Sequence, residues 1–277
     1  MKLLFFTYLL LIPVMYADYI DHPDSKKIMQ ELVEVHGFEK SYVEDVFKNA
    51  TKQQKIIDSI SKPAEFTWTW ERYKKLFIED KRIRNGKKFI KQNIDTLNRA
   101  EEEFGVPKEI IVSILGVETR YGKIMGGYRV IDSLTTLGFD YPRRSAFFKD
   151  ELIKFFLLTR ENNLDIYSIK GSYAGAMGYG QFISSSYRAY AVDFDGDDNV
   201  DLFNSVDDAI GSIANYLKVH GWKKNGKIVT KSSLNNVREI YKPHDSLSKF
   251  IPLSFNEGGE ENYFIGDDNF VAITKYN

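Results

Sequence analysis

Apolar residues recur at helical spacing over most of the chain. In the first such segment Ile28, Leu32 and Val35 fall on one stripe, with Ser25 as a candidate N-cap and Gly37 as a stop signal. Similar stripes along the chain predict further helices. The predicted helical segments are 25–36, 41–50, 67–77, 87–104, 107–122, 145–160, 184–192 and 207–220.

The pattern changes after Trp222. Glycine, asparagine and serine become frequent there, and short apolar runs occur at 228–229 and 270–273. Runs of this length between turn-forming residues are typical of short strands and loops. The sequence therefore predicts a mainly α (α+β) protein, with a helical body and a small β-containing part near the C-terminus.

Composition supports a folded protein. Of the 277 residues, 43% are hydrophobic and 14% aromatic, which suits a packed core and argues against disorder. Lys and Arg number 38 and Asp and Glu 39, so the charge balance gives no indication of a nucleic-acid partner. Cysteine is absent, which excludes disulfides and the lipidated cysteine of a lipoprotein.

The N-terminus has the pattern of a secretory signal peptide. Lys2 provides a positive charge, residues 3–15 form an apolar run, and the small residue Ala17 precedes a polar stretch. We expect cleavage after Ala17, because the run is short for a membrane-spanning helix. An uncleaved N-terminal anchor is the alternative, since Met15 is large for the position that it takes before the cleavage site.

The segment 107–122 predicts a buried helix with one acid on its apolar side. Ile111, Ile114 and Glu118 are spaced by three and four residues, so they share a face. Poor solvation favours the neutral carboxyl, which raises its pKa and permits proton donation near neutral pH. Taken alone, however, Glu118 is more simply interpreted as a structural residue paired with an arginine such as Arg120.

Four glycines lie close together in the stretch GSYAGAMGYGQF, at Gly171, Gly175, Gly178 and Gly180. Such a run predicts a loop whose backbone approaches another molecule closely, and the flat ring of a sugar suits that kind of wall. The order of glycines does not match a dinucleotide-binding fingerprint, and no strand precedes it. A tight turn without a ligand is the alternative.

The stretch DFDGDDNVDLFNSVDD sets oxygen-bearing side chains at alternate positions, namely Asp193, Asp195, Asp197 and Asn199. Alternating oxygens around a glycine suit a hard cation, with Asn199 offering its backbone carbonyl, and calcium suits flexible oxygen ligands better than magnesium. The pattern departs from an ordinary EF-hand, since its twelfth position holds Asn204 instead of Glu. An acidic surface turn without metal is the alternative.

Together, the stretches GVETRYG, YPRRSAFF and the glycine-rich and acidic segments closely resemble the membrane-bound lytic transglycosylase B family. The resemblance covers about residues 28–277. It implies a lysozyme-like core that cleaves peptidoglycan, with the Glu of the ETRYG motif, here Glu118, as the sole catalytic acid and base. It also implies an EF-hand-like loop closed by a later carboxylate, for which we expect Asp207, with Asp208 as the competitor.

The resemblance further implies residues that line a glycan-binding cleft. Arg143 and Arg144 are expected to bind lactyl or peptide carboxylates, although adjacent arginines are usually solvated surface charge. Gln181 is expected to hydrogen-bond an acetamido group. The other expected cleft residues are Ser172, Met177, Phe182, Tyr73, Tyr216 and Tyr276. The tyrosines match aromatic positions that stack on sugars, and core packing is their alternative role.

Most glycosidases use two carboxylates, and no motif places a second acid opposite Glu118. The resemblance implies instead that the 2-acetamido group of the substrate assists, and that Glu118 serves first as acid and then as base. The product is then a 1,6-anhydromuramoyl end. The alternatives are a muramidase that hydrolyses the same bond with water, and a catalytically silent peptidoglycan-binding protein.

The expected organisation is a signal peptide at 1–17, a helical N-terminal part at 18–106, a catalytic core with the EF-hand-like loop at 107–222 and a β-containing part at 223–277. We expect a monomer exported to the periplasm of a Gram-negative bacterium, and not a lipoprotein. The expected cofactor is a structural Ca²⁺ ion, with no organic cofactor. The expected partners are peptidoglycan glycan strands and proteins of cell-wall synthesis or remodelling, with no nucleic acid.

Overall fold

The computed structural model describes residues 19–62, 70–231, 252–257 and 260–266, together with 268–269, 272–273 and 276. The expected signal peptide at 1–17 lies outside the described residues. Among the helices in these described ranges, none combines the length and the apolar character needed to cross a membrane.

Helices make up most of the described chain, which confirms the mainly helical prediction. In chain order the α-helices are α1 (Ser25–Glu34), α2 (Lys40–Asn49), α3 (Gln54–Ser61), α4 (Trp70–Phe77), α5 (Asp80–Gln92), α6 (Ile94–Phe104), α7 (Lys108–Thr119), α8 (Val130–Asp140), α9 (Ser145–Glu161), α10 (Ser184–Tyr190) and α11 (Val206–Val219). A short 3₁₀ turn at Pro142–Arg144 connects α8 to α9.

The first helix differs in detail from its prediction. Ser25 is its first residue and not its N-cap, and the Ser25 hydroxyl donates a hydrogen bond to the carbonyl of His22 at 2.7 Å. Val35, predicted on the apolar stripe, is 72% exposed because it lies at the C-cap, beyond the last buried turn. Gly37 follows with a φ of +68°, as a helix stop requires.

The prediction of one long helix over 87–104 is wrong, because the helix is interrupted at Asn93. The Asn93 side chain donates to the carbonyl of Phe89 at 2.9 Å, and its backbone has φ −124° and ψ 30°. Such a bond from an asparagine side chain competes with continued helical hydrogen bonding. The carbonyl of Asn93 then accepts from the amide of Leu97 at 3.0 Å and starts α6.

Two small antiparallel sheets accompany the helices. Strands β1 (Tyr128–Arg129) and β2 (Lys170–Gly171) form one of them. The other has the order β3-β5-β4 and contains β3 (Val229–Lys231), β4 (Pro252–Glu257) and β5 (Glu260–Gly266). The expected β-containing part is therefore confirmed, but the strand predicted at 270–273 is wrong at its described residues, since Ala272 and Ile273 have helical backbone.

Helix α8 is buried over nearly its whole length, from Val130 to Phe139. It packs against α3 and α9. Backbone amides of the segment before α3 satisfy its polar side chains: Thr51 donates to Asp132 at 2.8 Å and Gln53 donates to Thr136 at 3.0 Å. The N-terminal helices are thus fixed to the part of the chain that precedes the YPRR motif.

Helix α7 packs closely against α5 because two glycines leave room for the ring of Tyr121. A Cβ atom at Gly86 or Gly116 would lie 2.7 or 2.6 Å from the Tyr121 hydroxyl. That hydroxyl donates to the carbonyl of Arg82 at 2.9 Å. The contact holds α7, which carries Glu118, in a fixed position relative to the helices before it.

Candidate active site

The end of α7 presents Glu118 next to a sharp turn. Glu118 is partly buried and is the residue before the last of the helix. Three consecutive residues then have positive φ, namely Arg120 (52°), Tyr121 (63°) and Gly122 (79°). The amides of Arg120 and Tyr121 both donate to the carbonyl of Leu115, the second at 2.9 Å, and these two bonds end the helix.

Thr119 joins this helix end to the glycine-rich segment. Its buried hydroxyl donates to the carbonyl of Tyr179 at 2.8 Å and accepts from the amide of Gly122 at 2.9 Å. Gly122 is required here, since a Cβ atom would lie 1.9 Å from the Tyr179 ring. The turn after Glu118 and the loop 171–182 are therefore packed into one unit.

The glycine-rich loop folds back on itself. Met177 and Phe182 exchange two backbone hydrogen bonds of 2.8 and 2.9 Å, and the amide of Ser172 donates to the carbonyl of Ala176 at 2.8 Å. A Cβ atom at Gly171 would lie 2.3 Å from that same carbonyl oxygen. The glycines are thus needed for close approach within the protein, which is the tight-turn role that the sequence left open.

Gln181 is held in a left-handed conformation inside this loop, with φ +53°. Its Nε2 donates to the carbonyl of Met125 at 3.2 Å and to that of Gly178 at 3.0 Å. These bonds fix the amide plane of Gln181 at the wall of the cleft. A positive φ at a non-glycine residue costs free energy, so the surrounding contacts must stabilise this position.

An open cleft of about 420 Å³ lies between the end of α7, the glycine-rich loop and the start of α9. It brings together Glu118 and most of the residues predicted for glycan binding. The predicted residues that line it are Glu118, Arg144, Ser172, Gln181, Phe182, Tyr216 and Tyr276. Among all described residues lining this cleft, Glu118 is the only one with an acidic side chain.

Three aromatic rings form one wall of the cleft. Phe182 lies 5.8 Å from Tyr216 and 5.9 Å from Tyr276, measured between ring centroids, and both contacts are edge-to-face. The Tyr276 hydroxyl donates to the carbonyl of Gly180 at 2.9 Å. Burial, together with the nearby Glu118 carboxyl and Tyr216, raises the pKa of Tyr276 well above its usual range. The Tyr276 phenol therefore stays protonated and neutral beside Glu118.

The two arginines of the YPRR motif have different surroundings. Arg144 lines the cleft, and its guanidinium lies over the rings of Phe147 at 4.1 Å and Phe148 at 5.3 Å. Arg143 is exposed and does not belong to the cleft wall. Of the pair, the structure thus places Arg144 where a bound ligand can reach it.

Of the two remaining predicted residues, only Met177 can be placed relative to the cleft wall. Met177 is fully buried behind it, and its backbone bridges Gly171 and Phe182. Tyr73 belongs to α4, but its side chain lies outside the described residues. Their predicted roles in glycan binding stay predictions.

Some cleft residues were not predicted from the sequence. Phe147 and Phe148 lie three and four residues after Arg144 in the stretch YPRRSAFF, and Tyr173 follows Ser172 within the glycine-rich stretch. Their positions inside recognised motifs were the available signal. Ser186, at the start of α10, carried no such signal, because its place beside the cleft depends on long-range packing.

Comparison with known proteins assigns the family. Residues 21–277 match the family model described as the transglycosylase SLT domain. The chain belongs to the transglycosylase SLT domain family.

A curated relative in this family is the membrane-bound lytic murein transglycosylase B of Escherichia coli strain K12. It is 38% identical over an alignment of 289 residues, gaps included, that spans 94% of this chain and 80% of the relative. This SLT-domain chain therefore shares nearly its whole length with that enzyme.

Solved structures of the SLT-domain family agree. The soluble lytic transglycosylase SltB1 of Pseudomonas aeruginosa matches with a TM-score of 0.85 and 42% identity, over 92% of this chain and 93% of that chain. The lytic transglycosylase Slt35 of E. coli, solved in complex with calcium, matches with a TM-score of 0.81 and 38% identity, over 95% and 90%. These matches confirm the predicted lysozyme-like fold.

The acidic loop of this family member brings three carboxylates together. One oxygen each of Asp193, Asp195 and Asp197 lies within 4.8 Å of the others. The Asp193 carboxylate accepts from the amides of Gly196 at 2.7 Å and Asp198 at 2.8 Å, so the loop curls around it. Converging carboxylates on a tightly turned loop fit a hard cation such as calcium.

The two later aspartates behave differently. Asp207 accepts a hydrogen bond from the hydroxyl of Thr96, and the structure does not place it with the three loop carboxylates. Asp208 is buried and accepts from the amides of Phe194 and Asp201, both at 2.7 Å. Burial raises the pKa of Asp208. Asp208 thus holds the two ends of the loop, while the ligand role expected of Asp207 stays a prediction.

Proposed function

We propose that this protein is a lytic transglycosylase that cleaves the β-1,4 bond between N-acetylmuramic acid and N-acetylglucosamine in peptidoglycan without water, leaving 1,6-anhydromuramoyl ends. The observation that carries the proposal is the single acid, Glu118, among the described residues of the cleft. Hydrolysis by paired carboxylates needs a second one within about 5–10 Å. Membership in a family of lytic transglycosylases supports the same assignment.

The proposed reaction uses Glu118 twice. Its neutral carboxyl donates a proton to the bridging oxygen as the bond from that oxygen to C1 of the muramoyl sugar breaks. The 2-acetamido oxygen of the same sugar stabilises the positive charge that develops at C1. The Glu118 carboxylate then accepts the proton of the C6 hydroxyl of that sugar, as the C6 oxygen forms a bond to C1. Atoms and protons balance, and Glu118 returns to its neutral form.

The walls of the cleft supply the proposed binding contacts. The edge-to-face rings of Phe182, Tyr216 and Tyr276 offer apolar surface to pyranose faces. Gln181, oriented by the two carbonyls that its Nε2 binds, presents its amide oxygen to an acetamido N–H. Arg144, supported by Phe147, binds a lactyl or peptide carboxylate.

The remaining predicted cleft residues are assigned supporting contacts. Ser172 lines the cleft beside Gln181 and offers its polar atoms to sugar hydroxyls. Met177 acts through the backbone bonds that shape the loop. Tyr73 and Arg143 are assigned further contacts with the substrate.

We propose that Asp193, Asp195, Asp197, the carbonyl of Asn199 and Asp207 hold one structural Ca²⁺ ion. When bound, the ion neutralises the mutual repulsion of the loop carboxylates. Asp208 stabilises the same loop from inside the core, because its carboxylate accepts hydrogen bonds from the backbone amides of Phe194 and Asp201. The ion takes no part in the reaction.

The proposed setting follows from the substrate. We infer that residues 1–17 direct export to the periplasm, that residues 107–222 form the catalytic core between the helical and the β-containing parts, and that the enzyme acts as a monomer on glycan strands. Proteins of cell-wall synthesis or remodelling are its proposed further partners.

Digestion of purified peptidoglycan sacculi tests the role of Glu118. Wild type is expected to release soluble fragments, and Glu118→Gln to be slower by at least about 100-fold, because the acid is lost while the shape is kept. Glu109→Gln is the matched control, since Glu109 is exposed in the first turn of the same helix. Equal release by wild type and Glu118→Gln, or no release by either, would reject the assignment.

A further inference from the structure

Helices α4 and α5 carry a concentration of positive charge that the cleft does not use. Residues 70–92 contain nine Lys and Arg against three Asp and Glu, whereas the whole chain has a net charge of −1. The rest of the chain is therefore acidic overall. A strongly basic segment in such a chain creates a local positive field on one part of the surface.

All cations of α5 except Arg82 are exposed. Arg82, Gly86 and Phe89 are buried, and the opposite face is exposed. The exposed cations of this face are Lys81, Arg84, Lys87, Lys88 and Lys91. We call these five residues the basic face. In the described part of the chain, none of the five has a carboxylate within 4 Å.

An apolar groove of about 330 Å³ borders the basic face between α5 and α7. Its exposed walls are Ile78, Ile83 and Val117, with exposed fractions of 58%, 48% and 40%. Together with Leu76, these are four of the nine large apolar side chains that are exposed among the described residues. Exposed aliphatic side chains of this size cluster where a protein meets an apolar partner.

The floor of the groove contains a buried cation. Arg82 is 8% exposed and lines the groove, and its Nη1 donates to the carbonyl of Phe77 at 2.8 Å. Within the described residues, its Nε has no acceptor. Lys87 and Glu109 also line the groove, so an anionic group at its mouth would be attracted by two cations and repelled by one carboxylate.

We infer that the basic face and its groove dock this protein onto an anionic phospholipid bilayer. Aliphatic side chains beside a row of lysines and arginines have the chemistry of a reversible membrane-surface site, in which apolar groups enter the acyl boundary and cations contact lipid phosphates. A polyanionic wall polymer would account for the cations, but it offers no apolar phase to Ile78 and Ile83.

Docking by this face leaves the active site open. No described residue lines both the groove and the Glu118 cleft. Val117 and Glu118 are neighbours on α7, about 100° apart around the helix axis, so the two surfaces lie on different sides of one helix. An enzyme held in this way keeps its cleft available to glycan strands while it rests on the bilayer.

Vesicle co-sedimentation of the full-length protein tests the proposal. We expect binding to phosphatidylcholine vesicles that contain phosphatidylglycerol, weak binding to phosphatidylcholine alone, and release by salt. Replacing Arg84, Lys87 and Lys88 by glutamine should weaken binding on the order of 100-fold, at about fivefold for each cation. The control, Lys48→Gln with Lys55→Gln and Lys227→Gln, removes three exposed lysines elsewhere and should bind like wild type.

The apolar contribution is tested separately. Ile78→Ser with Ile83→Ser should weaken vesicle binding on the order of tenfold at every salt concentration, since it removes aliphatic surface that docking would bury and removes no charge. Circular dichroism and the release of soluble peptidoglycan fragments check that each variant is folded, and both should match wild type. The proposal is overturned if the wild type does not bind anionic vesicles, or if the control variant loses as much vesicle binding as the Arg84, Lys87 and Lys88 variant. It is also overturned if the Arg84, Lys87 and Lys88 variant loses binding to sacculi while its binding to vesicles is unchanged.

Discussion

The hydroxyl of Thr119 is the contact whose removal tests most sharply how the Glu118 helix is held. Thr119→Val keeps the shape of the side chain but deletes the group that bonds the Tyr179 carbonyl at 2.8 Å and the Gly122 amide at 2.9 Å. Each backbone group left without its partner costs about 1–3 kcal/mol. Because Gly122 is only partly buried, we expect a loss of about 2–4 kcal/mol of unfolding free energy.

Urea denaturation and thermal unfolding measure this loss. For a chain of 277 residues, an unfolding entropy of about 2.1 cal/mol/K per residue converts about 3 kcal/mol into a fall of about 5 °C in Tm. Cleavage of sacculi should fall as well, since the turn after Glu118 and the glycine-rich loop would separate. Thr119→Ser keeps the hydroxyl and should retain most of the stability and activity.

A second control isolates the tertiary part of the effect. Thr135 is equally buried, but its hydroxyl bonds the carbonyl of Ile131 at 2.8 Å within its own helix. That carbonyl already has a helical partner, so Thr135→Val should cost about 1 kcal/mol or less. If Thr119→Val proves no less stable than Thr135→Val, the reasoning about the link between helix and loop is refuted.

Three further predictions concern the turn, the acidic loop and the aromatic wall. Gly122→Ala forces a Cβ atom to 1.9 Å from the Tyr179 ring, at a φ of +79°. It should abolish activity and lower the free energy of unfolding by at least about 3 kcal/mol. Activity near that of the wild type would contradict the described turn. Calcium at about 100 times its Kd should raise the free energy of unfolding by about 2.7 kcal/mol, which is detected as a higher Tm. Asp195→Asn should remove most of that rise. An unchanged rise in Asp195→Asn would exclude the loop as the calcium site. Tyr276→Phe removes the 2.9 Å bond to Gly180 and should cost about 1 kcal/mol in urea denaturation; no measurable cost would show that the bond is not formed.

Local sequence patterns predicted the elements that carry the chemistry. The spacing of Ile111, Ile114 and Glu118 predicted the helix, and the structure places Glu118 at the lip of a cleft. The alternating aspartates predicted the loop in which Asp193, Asp195 and Asp197 converge. Both patterns depend on residues only a few positions apart, so periodicity alone is informative.

Features that depend on distant partners were missed. Helix α8 has Asp132, Ser133 and Thr136 on a helix that is buried on all sides, so no amphipathic stripe marks it. Two of these polar groups, Asp132 and Thr136, accept from amides more than 80 positions earlier in the chain, at Thr51 and Gln53. Local periodicity contains no information about such contacts.

The surroundings of Asp207 and Asp208 depend on long-range contacts in the same way. The sequence shows two adjacent acids and cannot indicate that Thr96 binds the first. It likewise cannot indicate that the second is enclosed by the amides of Phe194 and Asp201. The different surroundings of the two acids depend on the packing of α11 against α6, which the local sequence does not reveal.

Mass spectrometry of the muramoyl ends released from sacculi is the most direct test of a single-carboxylate mechanism. The account predicts ends that are lighter by one water than reducing sugars and that resist borohydride reduction, because the C6 oxygen has closed on C1. Reducing muramic acid ends formed by the enzyme itself would contradict it, since they require an attacking water at a cleft in which Glu118 is the only acid among the described residues.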